Sequence, residues 1–526
     1  MNILDSVIEA ISPQRALKRQ EARIKLKLSQ DFLNSGYDES GASRSKTSMK
    51  GFFGNSKSPQ EDIDMNLDTL RKRSRSLYMN NSPLARSAIN QQSTNVIGPG
   101  LVLKPKINYK AIGISKEEAE ETESRIKTEF SLWAESKHCD SLKLNNFYEL
   151  QQIAFISWLL NGDAFILPVY DKETSYMPYS LRLHGIESDR VCTPESTPDY
   201  VNIYAKADNG NRIINGVEIN KDGSVEAYYI ADQYPYDYYT SEQNKWKRVK
   251  AFGEKTGNPN IIHIFNAERM EQYRGVPFLA PVIESLKQIT RYTEAELMAA
   301  VINGLFAVFI TTQNGGDDVD FAGLDEGFGE VEKKEENELS LGNGVINALG
   351  PGEGVEVVDA KRPNVNFDTF VSSMAKYIGA ALGMPYEVLI MHFSSSYSAS
   401  RAALLEAWKG FRKYRKWFTD DFCRPVYELW LAEAVAKERI HAPGFFLDAG
   451  IRKAYCGAAW NGPAPGQLDP VREAMGAGYR VEYGFSTRER EAVEINGSDF
   501  YSNIDEQQRE MERMKELGIW KEEKNA

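Results

Sequence analysis

Chemically reactive side chains occur along this sequence, but their spacing does not match an enzyme motif. Ser373 and Lys376 have the Ser-x-x-Lys spacing of penicillin-binding enzymes. The accompanying Lys255-Thr-Gly257 precedes the serine instead of following it, and no Ser-Asp-Asn lies between them. The glycine-rich P-loop that cradles nucleotide phosphates is absent from the sequence. We therefore assign no catalytic residue and predict that the protein is not an enzyme.

Metal-ligand spacing is equally incomplete. Asp318-x-Asp320 begins like a calcium-binding loop, but its fifth position is Ala322 and its twelfth, which needs a bidentate acid, is Gly329. His138-Cys139-Asp140 offers three adjacent ligands, yet no second group stands at the spacing that zinc sites use. We predict no metal site and no cofactor.

The five histidines are isolated from one another in the sequence. His392 stands out because it begins a polar link, His392-Phe-Ser-Ser-Ser-Tyr-Ser398, between two predicted helices. A hydrolase or nuclease that uses His263 or His392, with or without a metal, is therefore an alternative function. Neither histidine belongs to a motif with a nucleophile or a set of metal ligands.

Composition favours a soluble multidomain protein. The chain has 526 residues, 42% of them hydrophobic and 26% charged, with a net charge of −12. That charge argues against tight wrapping of a DNA duplex, which requires a dense basic footprint. Four scattered cysteines indicate reduced thiols. The apolar stretches 153–169 and 299–310 are interrupted or short, so we predict no membrane span.

The first half of the chain predicts an arm, several helices and a β region. Residues 1–65 are basic and then rich in Gly, Ser, Lys and Asn; such an arm can bind phosphate, contact a neighbouring subunit or remain solvated. Ser115 and Glu118 form a capping-box pattern at the start of a helix. From 164 to 264, short apolar runs alternate with turns such as Asn215-Gly216 and Asp222-Gly223, which predicts mostly antiparallel strands.

In the second half of the chain, the apolar residues mostly follow the spacing of α-helices. One apolar face runs from Val276 to Asn303, a rod of roughly 40 Å at 1.5 Å per residue. An acidic loop at 313–338 and short β-like runs separate it from a second helix at 367–382. A longer helix from about Ser400 to Glu438 is predicted to kink at Pro425. Short helices at 469–477, 486–495 and 504–517 complete an α+β chain.

Four blocks of sequence, in order, resemble the lambda-type phage portal proteins. The first block is the basic run Arg71–Arg75 that leads to Asn80-Asn81 and then Gly98-Pro-Gly100. The remaining blocks are Gln272–Ala280 with Glu294–Ala300, Tyr397–Glu406 with Pro425–Leu431, and Trp460–Pro463 with Asp469-Pro470 and Gly497–Asp499. The acidic stretch 317–338 departs from the family pattern, so the resemblance does not extend to loops there.

The resemblance implies a portal fold with a mixed β wing, a two-helix stem, a small α/β clip and a mainly helical C-terminal crown, assembled as a ring. By analogy, the segments are an arm at 1–65, wing at 66–274, first stem helix at 275–303, clip at 304–363, second stem helix at 364–383, tunnel-loop region at 384–399, long wing helix at 400–440 and crown at 441–526. Candidates for the channel wall are His392, Phe393, Ser394, Ser395, Ser396, Tyr397 and Ser398.

The function implied by the resemblance is that of a ring, typically of twelve subunits, which conducts double-stranded DNA at one capsid vertex without sequence specificity. Its implied partners are other copies of the chain, the terminase large subunit, the major capsid and scaffolding proteins, and the head-completion or adaptor proteins. Its implied location is the virion, and the host cytoplasm during assembly. Besides the nuclease, a ring scaffold unrelated to DNA remains an alternative function.

Overall fold

In the computed structural model, the described residues are 18, 21–22, 41–43, 46–52, 54, 56–194, 205–235, 245–305, 309–310, 347–348, 367–393, 396–466 and 469–519. Contacts divide the chain into Met1–Ser58 and Pro59–Ala526. In the first unit, the described residues include helical positions at 18 and 21–22 and a 3₁₀ turn at Thr47–Met49. Part of the predicted β region, at 195–204 and 236–244, the acidic loop at 313–338 and nearly all of the predicted clip lie outside the described residues.

Helical segments make up more than half of the described part of the second unit. We number them as follows: α1 Met65–Ser76, α2 Pro83–Val96, α3 Tyr109–Ile112, α4 Lys116–Ala134, α5 Phe147–Asn161, α6 Ile283–Leu305, α7 Phe367–Leu382, α8 Tyr386–Ile390, α9 Tyr397–Phe418, α10 Arg424–Ala436, α11 Ala449–Tyr455, α12 Pro470–Glu482, α13 Arg488–Asn496 and α14 Phe500–Glu516. Among the described residues, no helix combines the length and the apolar character needed to span a bilayer.

The strands form small sheets, which are antiparallel between 163 and 265, as the sequence predicts. They are β1 Val102–Pro105, β2 Asp163–Tyr170, β3 Leu181–Ile186, β4 Arg212–Ile214, β5 Val217–Ile219, β6 Val225–Ala231, β7 Trp246–Lys250, β8 Ile262–Phe265, β9 Phe309–Ile310, β10 Asn347–Ala348 and β11 Ala458–Asn461. One sheet has the order β3-β2-β8 and another the order β4-β5-β6-β7. β1 pairs antiparallel with β11, whereas β9 and β10 pair in parallel.

Local sequence signals explain several element boundaries. The predicted capping box is present, because Glu118 N–H donates to the Ser115 hydroxyl and the Glu118 carboxylate accepts from Ser115 N–H. β4 and β5 are joined by Asn215-Gly216, both with positive φ (44° and 81°), as a type I′ hairpin turn requires. These predictions are confirmed.

Two helix predictions need correction. The predicted rod from Val276 begins as an α-helix only at Ile283, after a 3₁₀ turn at Ala280–Val282. The N–H of Phe278 donates to the Leu159 carbonyl oxygen instead of to a helical partner, which holds this segment in a turn. The predicted long helix is two helices, because a π turn at Thr419–Cys423 precedes Pro425. Proline lacks an N–H and crowds the preceding turn, so the backbone widens there.

The main hydrophobic core lies among the helices. It includes the fully buried aromatic side chains of Phe130, Trp133, Phe147, Phe418 and Trp430. A smaller core lies between the two larger sheets, around Phe165, Val217, Ile219 and Ile230. The two cores give the helices and sheets around the predicted link a rigid base.

Candidate functional site

The link that the sequence singles out is exposed where the structure describes it. It follows α8, after which Met391 takes a left-handed φ of 54°. His392 donates its N–H to the Glu387 carbonyl oxygen at 3.1 Å, so the helix end turns sharply. The side chains of His392 and Phe393 are exposed, that of Phe393 to 49%.

The second half of the link leads directly into α9. Ser396 occupies the N-cap position, where its hydroxyl makes no capping bond and its carbonyl oxygen accepts from Ser400 N–H at 2.9 Å. Tyr397 is the first helical residue, and Ser398 is exposed. Ser394 and Ser395 lie outside the described residues. Residues 392–398 include no Lys, Arg, Asp or Glu, so the link can form hydrogen bonds without a strong charge.

The short helix α8 anchors the start of the link, and the sequence reasoning missed it. Val388 and Leu389 are buried, and the Ser87 hydroxyl donates to the Leu389 carbonyl oxygen at 2.5 Å. The only available signal was Pro385, which suits the start of a helix. One end of the link is therefore fixed to α2.

A tight turn sets the angle between α7 and α8. The N–H of Met384 donates to the Gly379 carbonyl oxygen at 2.8 Å. A Cβ on residue 379 would lie 2.5 Å from the Met384 carbonyl oxygen, closer than packing allows. Glycine is therefore required at this close approach, and the turn carries the chain from α7 towards the link.

Helices α6 and α7, the predicted stem pair, pack together. Leu286 on α6 and Ile378 on α7 are completely buried. Further along, the ring of Tyr292 stacks on that of Phe367, with centroids 5.7 Å apart and an interplanar angle of 19°, and contacts Phe370 at 4.6 Å. This half of the pair has a continuous apolar and aromatic contact.

Other parts of the α6–α7 pair have apolar side chains that no described residue covers. On α6, Leu297, Met298 and Val301 are 67%, 60% and 49% exposed. On α7, Tyr377 is 67% exposed. An apolar surface of this kind is typical of a contact with another molecule.

A buried ion cluster holds the segment that leads into α6. We use this name for Asp163, Arg71, Arg274 and His263. The Asp163 carboxylate, at the start of β2, accepts from Arg274 Nε at 2.6 Å and from Arg71 Nη2 at 2.9 Å. Arg274 also donates to the carbonyl oxygens of Val191 and Ser188, at 2.7 and 3.0 Å. Arg274 also donates to the Asn215 carbonyl oxygen in the β4–β5 turn, so the cluster joins α1, both larger sheets and the approach to α6.

Charge within this cluster sets the ionisation of its members. Burial opposes ionisation of Asp163, but the charges of Arg274 and Arg71 outweigh burial and hold its pKa well below the usual value. Burial lowers the pKa of Arg71 to about 10, although Asp163 opposes this effect. The carboxylate and both guanidinium groups therefore remain charged and paired at neutral pH.

His263, one of the two histidines in the nuclease alternative, is part of this cluster. Its side chain is 7% exposed and its Nε2 lies 3.6 Å from Asp163 Oδ2. The imidazole stacks between Phe165 and Phe265, with both centroids 4.3 Å away, and burial lowers its pKa. This geometry gives His263 a packing role and keeps it from a substrate.

The adjacent His138, Cys139 and Asp140 also have local roles. The Asp140 carboxylate accepts backbone N–H bonds from Leu142 and Leu144 at 2.9 and 3.1 Å. Burial raises the pKa of the Cys139 thiol to about 12, which disfavours the thiolate that a metal needs. In the part of the chain that the structure describes, no three His, Cys, Asp or Glu residues are grouped to hold a metal ion.

Relatives of this chain are known among phage proteins. It is 24% identical over 493 residues to portal protein B of Escherichia phage lambda, with 89% of each chain covered. It is 23% identical over 460 residues to the portal protein of Escherichia phage N15, covering 84% of this chain and 83% of that protein.

Chains in solved structures of gene transfer agent (GTA) particles are also similar. A chain from the neck of an empty GTA particle, computed with C6 symmetry, has 13% identity and a TM-score of 0.39, covering 80% of this chain and 92% of that one. A chain from the virion of a native gene transfer agent particle has 12% identity and a TM-score of 0.36, with 81% and 92% covered. The model of the phage portal protein, lambda family, matches residues 45–415. Because that match spans more than half of the 526 residues of the chain, this protein belongs to the lambda family of phage portal proteins.

Proposed function

We propose that copies of this chain close into a ring at one capsid vertex and conduct double-stranded DNA during packaging and ejection. The observation that carries this proposal is the exposed apolar surface of α6 and α7, at Leu297, Met298, Val301 and Tyr377. Burial of a large apolar side chain contributes about 1.5–3 kcal/mol, so these positions favour contact with neighbouring copies.

The link at 392–398 is the proposed contact with DNA. It connects two helices and is exposed where described. Its side chains carry hydroxyl, imidazole and aromatic groups, and none of them is a carboxylate, an ammonium or a guanidinium group. Hydroxyl groups form hydrogen bonds to phosphate oxygens without reading bases. A link of this chemistry suits DNA that must slide.

Net charge supports the same interpretation. Twelve chains, the number that the family resemblance implies, each with a charge of −12, would carry about −144 in total. Negative charge around a bore repels phosphate and reduces the sequence-independent adhesion that basic surfaces produce. The ring would therefore conduct DNA with little friction.

The remaining parts of the chain would serve assembly. By family analogy, residues 304–363 form the clip that meets the terminase large subunit and later the head-completion or adaptor proteins. The major capsid and scaffolding proteins would be further partners by the same analogy, and residues 441–526 would form the crown. The protein would assemble in the host cytoplasm and remain in the virion.

Mass photometry of the purified chain tests the ring. Twelve copies of a 59.4 kDa chain would weigh about 710 kDa. Negative-stain images of the same sample should show closed rings with a central opening. A uniform 59.4 kDa monomer at micromolar concentration, under conditions that preserve the fold, would contradict the proposal.

A matched pair of substitutions at Ser398 tests the channel. Ser398→Glu and Ser398→Gln have side chains of nearly equal size and differ by one negative charge per subunit. Both should leave the rings intact, because Ser398 is exposed and an acid is tolerated in the first turn of a helix. In a packaging assay, the two variants should differ in the rate of DNA uptake, because the added negative charges act on the phosphates only if residue 398 faces the DNA. Equal rates in the two variants would favour a ring scaffold that does not contact DNA there.

The nuclease alternative now depends on His392, because His263 is secluded in the ion cluster. Purified protein incubated with DNA and magnesium or manganese should leave the DNA intact. Cleavage that disappears in His392→Ala, while the ring remains, would restore the nuclease interpretation.

A further inference from the structure

A concave pocket lies where the π turn between α9 and α10 meets β11. Its volume is about 280 Å³. Four of its lining residues are cations, and no carboxylate is among those that line it. The cations are Arg412, Arg415, Lys416 and Arg424, and Thr419 and Trp460 are also in the wall.

Arg415 has a positive charge that no carboxylate neutralises among the described residues. Its Nε donates to the Val96 carbonyl oxygen at 2.9 Å, and its Nη2 donates to those of Asn95 and Pro463 at 2.8 and 2.7 Å. Burial and then the charge of Arg412 lower its pKa to about 10. The side chain joins distant loops and leaves the pocket electropositive at neutral pH.

The other three cations have carboxylate partners outside the lining. Arg412 Nη2 lies 2.9 Å from Glu494 Oε2, with both side chains more than half exposed. Lys416 and Arg424 share Asp420, which lies 2.8 Å from Arg424 Nη2. Four cations face the two paired carboxylates and Asp421, which also interacts with Lys416 and whose pKa burial raises to about 6, so an excess of about one positive charge remains. Exposed ion pairs contribute little to stability, so an incoming anion can replace their partners.

The shape of the pocket favours a carboxylate side chain over duplex DNA. Guanidinium groups bind carboxylates and phosphates in similar planar geometry, so charge alone does not choose between them. A duplex presents its phosphates on a wide convex surface, whereas a single Asp or Glu side chain can enter a concavity of about 280 Å³. The partly exposed indole of Trp460 gives an apolar wall for the methylene groups of a glutamate.

The location also separates this pocket from the proposed channel. Arg412 is fourteen residues beyond Ser398 on α9, which corresponds to about 21 Å along the helix. A protein can therefore reach the pocket without approaching the 392–398 link.

We propose that this pocket binds an Asp or Glu side chain from an acidic peptide segment of a partner protein. The interaction consists of charge-assisted hydrogen bonds from the exposed guanidinium and ammonium groups of Arg412, Lys416 and Arg424. Arg415 supplies additional positive charge from the wall. The inference does not depend on the DNA channel, and its test contains no packaging step.

Fluorescence anisotropy with a labelled oligoglutamate peptide and the full-length chain tests the proposal. The double variant Arg412→Glu, Arg424→Glu should weaken binding by about tenfold or more, because it reverses the charge of the pocket rim. Arg415 is left intact, since its hydrogen bonds hold backbone loops. The control is the double variant Lys409→Glu, Arg472→Glu, in which the same charge change falls on exposed side chains outside the lining.

Circular dichroism and thermal melting should show that both double variants fold like the parent chain. The proposal is supported if the pocket variant loses affinity for the peptide while the control variant binds it within about twofold of the parent chain. Equal loss in both variants would show a diffuse charge effect and overturn it. Absence of peptide binding to the parent chain would also overturn it. So would displacement of the peptide by an equal concentration of short duplex DNA or of inorganic phosphate.

Discussion

The two ends of α6 contain similar residues in opposite environments. Near its start, Leu286 and Ile289 are 0% and 4% exposed, next to the segment that the buried ion cluster holds. Near its end, Leu297 and Val301 are 67% and 49% exposed. The first end is completed by the chain itself. The second has the same apolar chemistry with no cover among the described residues, which is typical of a surface that another molecule completes.

The comparison indicates that the buried residues of α6 stabilise the folded chain, whereas its exposed apolar residues are available for contacts between copies. At the start of α6, the same chain supplies charge partners, close glycine contacts and apolar cover, so changes there should destabilise the folded chain. At the end of α6, changes should leave the fold of the chain almost unchanged and affect contacts between copies. The following substitutions test this difference, beginning with the largest expected effect.

Asp163→Asn should cause the largest loss of unfolding free energy. It leaves Arg71 and Arg274 buried without their shared negative charge, and removal of one partner from a buried ion pair costs about 3–5 kcal/mol. Urea denaturation at pH 7 measures the change. Glu516→Gln is the control, because Glu516 pairs with Arg513 at 2.9 Å but both side chains are about two-thirds exposed. A loss for Asp163→Asn as small as that of the control would contradict the role of the ion cluster.

Leu286→Ala and Leu297→Ala compare the two ends of α6 with the same chemical change. Leu286→Ala should cost about 2–5 kcal/mol in unfolding free energy, because it leaves a cavity in the core. Leu297→Ala should leave the stability of the dilute chain nearly unchanged and reduce the fraction of assembled rings in mass photometry. If Leu297→Ala destabilised the dilute chain as strongly as Leu286→Ala, the contrast between the two ends would be wrong.

Gly275→Ala should disrupt the approach to α6 by overpacking. A Cβ on residue 275 would lie 1.8 Å from the Gly162 carbonyl oxygen, so the backbone must move, at a cost of about 1–3 kcal/mol. Gly478→Ala in α12 is the control, since nothing lies within 4 Å of its added Cβ and alanine favours helices. Thermal melting should therefore show opposite shifts for the two variants. Equal destabilisation in both would contradict the close contact of residues 162 and 275.

Asp64→Asn should change the free energy of unfolding less than the preceding destabilising substitutions do, and it should stabilise the fold instead of destabilising it. Burial raises the pKa of Asp64 from 3.8 to about 6, so the folded chain binds a proton more tightly than the unfolded chain does. The ionised carboxylate therefore destabilises the fold as pH rises from about 4 to 6. The variant should remove this dependence and gain about 1–2 kcal/mol at pH 7, within the roughly 3 kcal/mol that the full pKa shift allows.

Urea denaturation between pH 4 and 7 distinguishes this effect from that of Asp163. The pKa of Asp163 is depressed, so its stabilisation is complete above its unfolded pKa of about 3.9 and disappears as pH falls below that value. Parallel pH profiles for Asp64→Asn and the parent chain across pH 4–6 would contradict the raised pKa of Asp64.

Local patterns predicted much of the secondary structure correctly. The capping box at Ser115, the hairpin turn at Asn215-Gly216 and the helix at 367–382 depend on residues a few positions apart, and all three are present. The ion cluster could not be predicted in the same way. Arg71 and Arg274 reach Asp163 from 92 and 111 residues away, and the only local signal was a charged residue at the end of an apolar run.

The pocket lined by Arg412, Arg415, Lys416 and Arg424 could not be predicted from the sequence either. Arg412, Arg415 and Lys416 are visible in the sequence as part of a basic helix, which by itself indicates an exposed face. The carbonyl oxygens that hold Arg415 come from residues up to 320 positions away. The role of the 392–398 link as a channel wall stays a prediction.

The sequence alone determined the family, the α+β class and the elements whose caps and turns depend on neighbouring residues, because those signals act over a few positions. Only the tertiary structure decided which apolar residues of α6 are covered and which charges are paired. Burial and charge pairing result from contacts between segments far apart in the chain, so no spacing rule could have supplied them.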